Sequence, residues 1–226
     1  PEVELLDVRN PVDGQKNDTA ENQNLLLSII GPIMGGMMVF YAYYTGTSTA
    51  QSILKEEEER TLPRLFTTPT SQATILTGKF LSVFMTVSVQ IIVLLIAAHL
   101  IFGIEWGGFA SVALMAIGII VSASSFGVFV NSFLKDTKQG GVLFGGILTV
   151  TGMMGMIKIF AMNSAIANKM GDTISLLVPQ GWAIRGLMQA MGGESFNNVA
   201  LTVLVSFLWS AAFFAIGVWR FNRRYT

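Results

Sequence analysis

Long apolar runs separated by short polar stretches dominate this chain, and the runs decide its architecture. Continuous apolar segments fall at about residues 25–49, 79–102, 109–134, 140–162 and 199–219. Each matches or exceeds the roughly 20 residues that carry a helix across a bilayer. None alternates apolar with polar positions, so the segments read as helices and not as strands. A helix also satisfies its own backbone polar groups in lipid, where water cannot. The pattern predicts an all-α membrane protein built on about five transmembrane helices. The polar intervals predict the rest. Residues 1–24, with Pro1, Pro11, Gly14 and several Asn and Asp, read as a loop or the tail of an extracytoplasmic segment. Residues 50–78 and 163–197 are longer mixed segments, whereas 103–108 and 135–139 are tight turns. Gly31 and Gly35 lie four apart on one helical face around Pro32, a spacing that lets another helix come close.

Composition agrees with this picture and narrows the chemistry. Of the 226 residues, 52% are apolar and 12% charged, and the mean hydropathy is +0.59. Soluble domains carry roughly twice that charge. Zero net charge offers no basic face for nucleic acid. The absence of cysteine excludes disulfides, thiolate metal sites and cysteine nucleophiles, and His99 as the sole histidine argues against an imidazole metal site. No metal site is expected. The chain opens at Pro1 in a polar stretch, without an initiator methionine or the pattern of a signal peptide, so a longer parent protein is expected.

Charge sets the predicted orientation. With five spans, one face collects Lys55, Arg60, Arg64, Lys79, Lys135, Lys138, Arg220, Arg223 and Arg224. The other collects Arg9, Lys16, Lys169 and Arg185, with Lys158 near its edge. Basic residues mark the cytoplasmic side. The expectation is therefore a cytoplasmic C-terminus, an external N-terminus and an external segment 163–197, in a prokaryotic cell membrane. Trp106, Trp182 and Trp219 fall near the predicted interfaces, where indole rings prefer to sit.

The most informative polar stretch runs from Lys55 to Pro69. Glu56, Glu57, Glu58 and Glu59 point to every side of a helix, so they cannot enter lipid and must mark where the first span ends. Thr61 is placed to cap a short helix in which Pro63 tolerates its missing N–H. Leu62, Leu65 and Phe66 then share one face, and Arg60 and Arg64 another. Such an amphipathic helix lies on lipid or docks in a partner's groove. Within the spans, Gln90, His99, Asn131 and Lys158 are the polar candidates for a substrate path. His99 and Lys158 sit near the outer ends, where reaching water is easy. Met34, Met37, Met38, Met153, Met154 and Met156 read first as bundle packing.

In its order of motifs the chain resembles the type-2 permease subunits of ATP-binding-cassette (ABC) exporters. The resemblance rests on the acidic cluster Glu56 to Glu59, Thr61-Leu62, Arg64-Leu65, Thr68-Pro69 and Ile75-Leu76-Thr77-Gly78-Lys79. Asn131 to Gln139 looks like that family's second cytoplasmic turn, and Val178 to Met188 like its outer re-entrant helix. Arg60 and Pro63 depart from the pattern, which usually has Gly and a polar helix former there. The resemblance covers about residues 25–226 and implies six spans in the whole protein, the first lying ahead of this chain with most of any external domain. It further implies that residues 50–78 couple the permease to a separate ABC ATPase subunit, which binds ATP and Mg. It implies a second permease subunit, identical or different, and leaves the substrate open. Thr77-Gly78-Lys79-Phe80 is no phosphate loop, because Ala73 stands where a Gly belongs and Phe80 where a Ser or Thr must hold Mg.

The residues also bear on two other classes. A glutamate-type membrane protease needs Glu-Glu-x-x-x-Arg, but the fourth residue after the second Glu of each pair is Thr61, Leu62 or Pro63, and no Gly-x-Ser-x-Gly elbow occurs. An ATP-independent channel or carrier is the remaining alternative, and it would lack the ATPase partner.

Overall fold

The computed structural model describes residues 11–59, 61, 72–160 and 165–225. Among the described residues seven helices follow one another: α1 (Pro11–Glu58), α2 (Gln72–Phe102), α3 (Phe109–Ser132), α4 (Thr137–Phe160), α5 (Ala165–Ser175), α6 (Pro179–Met191) and α7 (Phe196–Tyr225). No strand occurs among the described residues. Among the described residues, four segments are long and apolar enough to cross a membrane: Thr77–Phe102, Phe109–Ser132, Thr137–Phe160 and Phe196–Arg220. The apolar run from Leu25 belongs to α1, whose 48 residues extend about 72 Å. That length far exceeds a bilayer's hydrocarbon core, and the expected first span, residues 25–49, is not among these four. Its first part differs from the sequence expectation. Residues 11–24, expected as a loop, continue the helix, with Pro11 at its first position where a missing N–H costs nothing.

α3 is the central helix. Of its apolar window 61% is buried, against 17% for α2, which packs on one edge and turns Val89, Ile92, Val93 and Ile96 outward. Small residues explain the difference. Ser111, Gly118, Ser122, Ala123, Ser124, Ser125 and Gly127 are all buried on α3 and let its neighbours approach. α1 supplies the complementary seam, Val39, Ala42, Tyr43, Gly46, Thr47, Ala50 and Leu54, which recur every three or four residues along one face. At the crossing the two backbones nearly touch. A Cβ on Gly127 would lie 2.4 Å from the Gly46 carbonyl oxygen, and one on Gly46 would lie 2.6 Å from that of Ala123. Polar groups bracket this contact: Tyr43 and Ser122 hydroxyls meet at 2.5 Å, and the Asn131 amide donates to Thr47 O at 2.9 Å and to Gly127 O at 2.8 Å. Other span hydroxyls, including Thr47, Ser124, Ser206 and Ser210, return to the carbonyl one turn back, which keeps them satisfied without water.

α7 packs along α3 through an aromatic row. Phe129 stacks on Phe213 at 4.9 Å, and Phe213 on Phe126 at 5.3 Å and Trp209 at 5.4 Å. The short helices α5 and α6 sit at the end of the bundle that holds the α2–α3 turn. α6 buries Gln180, Ala183, Ile184 and Leu187, and packs on Gly31 and Gly35 of α1 through Met191 and Leu187. The glycine pair read from the sequence thus accommodates α6. Gly107 closes the α2–α3 turn at φ +96°, where a Cβ would lie 1.9 Å from Ala190 O. Only glycine fits that conformation and that gap. Trp106, expected at an interface, is instead 8% exposed, with its indole N–H folded back onto Leu95 O at 3.0 Å.

Candidate functional site

At the opposite end, the acidic end of α1 is bonded to the starts of two other helices. Glu56 forms an ion pair with Lys79 near the start of α2. Both side chains are about three-quarters buried, so water screens them less than an open surface pair. The second oxygen, Glu56 Oε2, is buried without a partner among the described residues. Glu58 accepts two hydrogen bonds from Thr137, the first residue of α4: one from the backbone N–H at 2.6 Å and one from the hydroxyl at 2.8 Å. A carboxylate at a helix N-terminus satisfies a donor the helix leaves unpaired and complements its dipole. Gln51 donates to the Thr137 carbonyl at 2.9 Å, and Asp136 caps the Gln139 N–H at 2.7 Å. Glu59 reaches back to Lys55 at 3.9 Å, an exposed pair of little energetic weight. The Thr61 hydroxyl donates to Glu56 O at 3.0 Å.

The fourfold acidic run therefore divides its labour. Glu56 ties α1 to α2, and Glu58 ties it to α4. The sequence placed these carboxylates at the membrane exit but could not pair them with Lys79 or Thr137, which lie 23 and 79 residues away. Lys79 and its preceding Thr77-Gly78 lie inside a continuous helix, in keeping with a path into the membrane. The remaining candidates of this segment, Arg60, Leu62, Arg64, Leu65 and Phe66, lie outside the described residues.

The four candidate path residues are not brought together. Asn131 belongs to the α1–α3 crossing, and its Oδ1 is buried without a partner among the described residues. Gln90 is midway along α2, with a similarly unpartnered Oε1. His99 closes the far end of α2, its Nδ1 lying 3.0 Å from Ile104 O. Lys158, near the end of α4, pairs with Asp172 of α5 at 2.6 Å, both side chains about half exposed. This pair stands on the rim of a cavity of about 350 Å³ between α1, α4, α5 and α6. Its walls are apolar (Pro32, Ile159, Ile184 and Met188), whereas Arg185 and Glu194 add one charge of each sign to the rim. Beside it Gln180, 1% exposed, donates to the Thr151 hydroxyl at 2.9 Å. Asp172 and Thr151 carry no sequence signal of their own, and Gln180 has only its place in the Val178 to Met188 stretch. Only the packing of α5 and α6 onto α4 gives them a role.

Among the described residues the chain is an all-helical bundle with four helices long and apolar enough to cross a membrane, which makes it an α-helical integral membrane protein. The chain belongs to the ABC-2 transporters: the family model described as ABC-2 family transporter protein matches residues 2–219. Among curated proteins it is similar to the linearmycin resistance permease protein LnrN of Bacillus subtilis (strain 168), with 24% identity over 184 residues. That alignment takes in 81% of this chain and 47% of the relative, so the chain spans about half the length of the curated relative it matches. No solved structure matches.

Proposed function

We propose that this chain is the membrane-spanning subunit of an ATP-driven exporter, that it forms the translocation path with a second permease subunit, and that residues 50–78 couple it to a separate ABC ATPase. ATP and Mg are bound on that ATPase and not on this chain. The end bearing Glu56 and Glu58 is cytoplasmic, and α5 and α6 are external. One observation carries this reading: the acidic end of α1 is bonded at once to the starts of α2 and α4. A partner pressing on the segment between α1 and α2 moves three helix ends together. α4 then transmits the motion lengthwise. Lys158 lies 21 residues beyond Thr137, about 32 Å along the same helix, and holds Asp172 at the cavity rim. Such a shift has direction only if the ATPase contacts the segment differently in its two nucleotide states.

The cavity's apolar walls and mixed-charge rim favour an amphipathic cargo. The test is to replace Leu65 and Phe66 together with Asp. The expected result is loss of ATPase co-purification and of transport, with the melting temperature of the permease unchanged. Undiminished co-purification would refute the assignment of residues 50–78, and a native complex containing no ATPase would favour an ATP-independent carrier.

A further inference from the structure

A second cavity, of about 490 Å³, opens between the last turns of α3 and α7, at the end of the bundle that also holds Glu58. Lys135, Arg220 and Arg223 line it, with Ser132 and the rings of Phe133 and Trp219, and among the described residues no carboxylate joins them. Arg220 is held in place. Its Nε donates to Ser132 O at 3.3 Å and its guanidinium lies 4.3 Å from the centre of the Phe133 ring. Arg223 lies over Trp219 at 4.9 Å. Among the described residues neither arginine has an ion-pair partner. Cations at the end of a helix complement its dipole, which accounts for their charge but not for a cavity that gathers a third cation from another helix's end.

The cavity is also continuous with a lipid-facing surface. Leu201, Leu204, Leu208, Ile216 and Trp219 are exposed along one side of α7 at helical spacing, and this apolar stripe ends at Arg220 and Arg223. An anion that fits both parts carries a phosphate at one end and hydrocarbon at the other. We infer that this cavity binds the headgroup of an anionic phospholipid, whose acyl chain lies along α7 and whose phosphate bridges the ends of α3 and α7. The inference needs only that α3 and α7 span the membrane. It is independent of orientation and of the ATPase partner, so it stands or falls apart from the proposed function.

The full chain, purified in mild detergent, is loaded with phosphatidylglycerol or phosphatidylcholine, and retained lipid is counted by native mass spectrometry. The wild type retains phosphatidylglycerol preferentially. In Lys135→Gln/Arg223→Gln that retention falls about 25-fold, at about fivefold per cation removed, while phosphatidylcholine is unaffected. Lys135→Arg/Arg223→Lys keeps the preference. Both variants leave the packed Arg220 in place, and an unchanged melting temperature verifies the fold. Equal retention of the two lipids by the wild type, or full phosphatidylglycerol retention by the Gln variant, overturns the inference. So does displacement of the lipid by millimolar inorganic phosphate, which marks a site for the free anion.

Discussion

Replacing Gly127 with alanine puts a methyl group where the backbone of α1 already lies. The added Cβ would meet Gly46 O at 2.4 Å, Gly46 C at 2.6 Å and Thr47 N at 3.0 Å. These are backbone atoms in the middle of a helix, so no side chain can swing aside. The helices must separate by about 1 Å to restore ordinary contact. That movement stretches the bond from Asn131 Nδ2 to Thr47 O well beyond its 2.9 Å. Three contributions compete. Alanine gains about 1 kcal/mol over glycine in helix propensity. Overpacking costs typically about 1–3 kcal/mol, and an interhelical hydrogen bond in a membrane contributes about 0.6, at most about 1.7 kcal/mol. The costs win, and a net destabilisation of roughly 1–3 kcal/mol is expected. Reversible unfolding of the chain in mixed micelles measures it. A double-mutant cycle with Asn131→Ala tests the cause: the second substitution should cost less in the Gly127→Ala background, because the bond to Thr47 is already broken. Wild-type stability in Gly127→Ala, or strict additivity with Asn131→Ala, would refute this account of the crossing.

Three further outcomes are expected. Glu56→Lys reverses one half of the Glu56–Lys79 pair and should depress transport strongly, whereas adding Lys79→Glu should recover part of it; an unimproved double variant would show that the pair does not act as a link. Breaking the half-exposed Lys158–Asp172 pair by Asp172→Asn should change the unfolding free energy by less than about 1 kcal/mol, yet alter transport kinetics; a large stability loss with unaltered transport would make the pair purely structural. Because the chain contains no cysteine, Lys138→Cys and Glu194→Cys provide a clean orientation test. A membrane-impermeant maleimide added to intact cells should label position 194 and spare 138, and the reverse pattern would invert the proposed topology.

The sequence was most legible where a single helix had to satisfy the bilayer by itself. Apolar run length located the segments of α2, α3, α4 and α7 to within several residues at their ends, because the cost of a charge in lipid is local. The same local rule placed Glu56 to Glu59 outside the membrane. It misread residues 11–24, whose polar side chains and two turn formers resemble a loop, although nothing beyond Gly14 opposes helix once Pro11 has started it.

Partnership was illegible for a physical reason. In a soluble helix the buried face is the apolar one, but here lipid-facing and protein-facing residues are equally apolar, so periodicity does not separate them. Nothing local distinguishes Gly127, pressed against α1, from Gly145, which faces open space. The chain by itself thus determined where its long apolar runs fall and where a charge would be costly in lipid. Tertiary structure alone decided that α3 is central, that Glu56 and Glu58 bind different helices, and that Asp172 and Gln180 stand beside the cavity between α1, α4, α5 and α6. Those contacts depend on how small residues from distant segments let particular backbones approach, and that is a property of pairs of helices, not of any one of them.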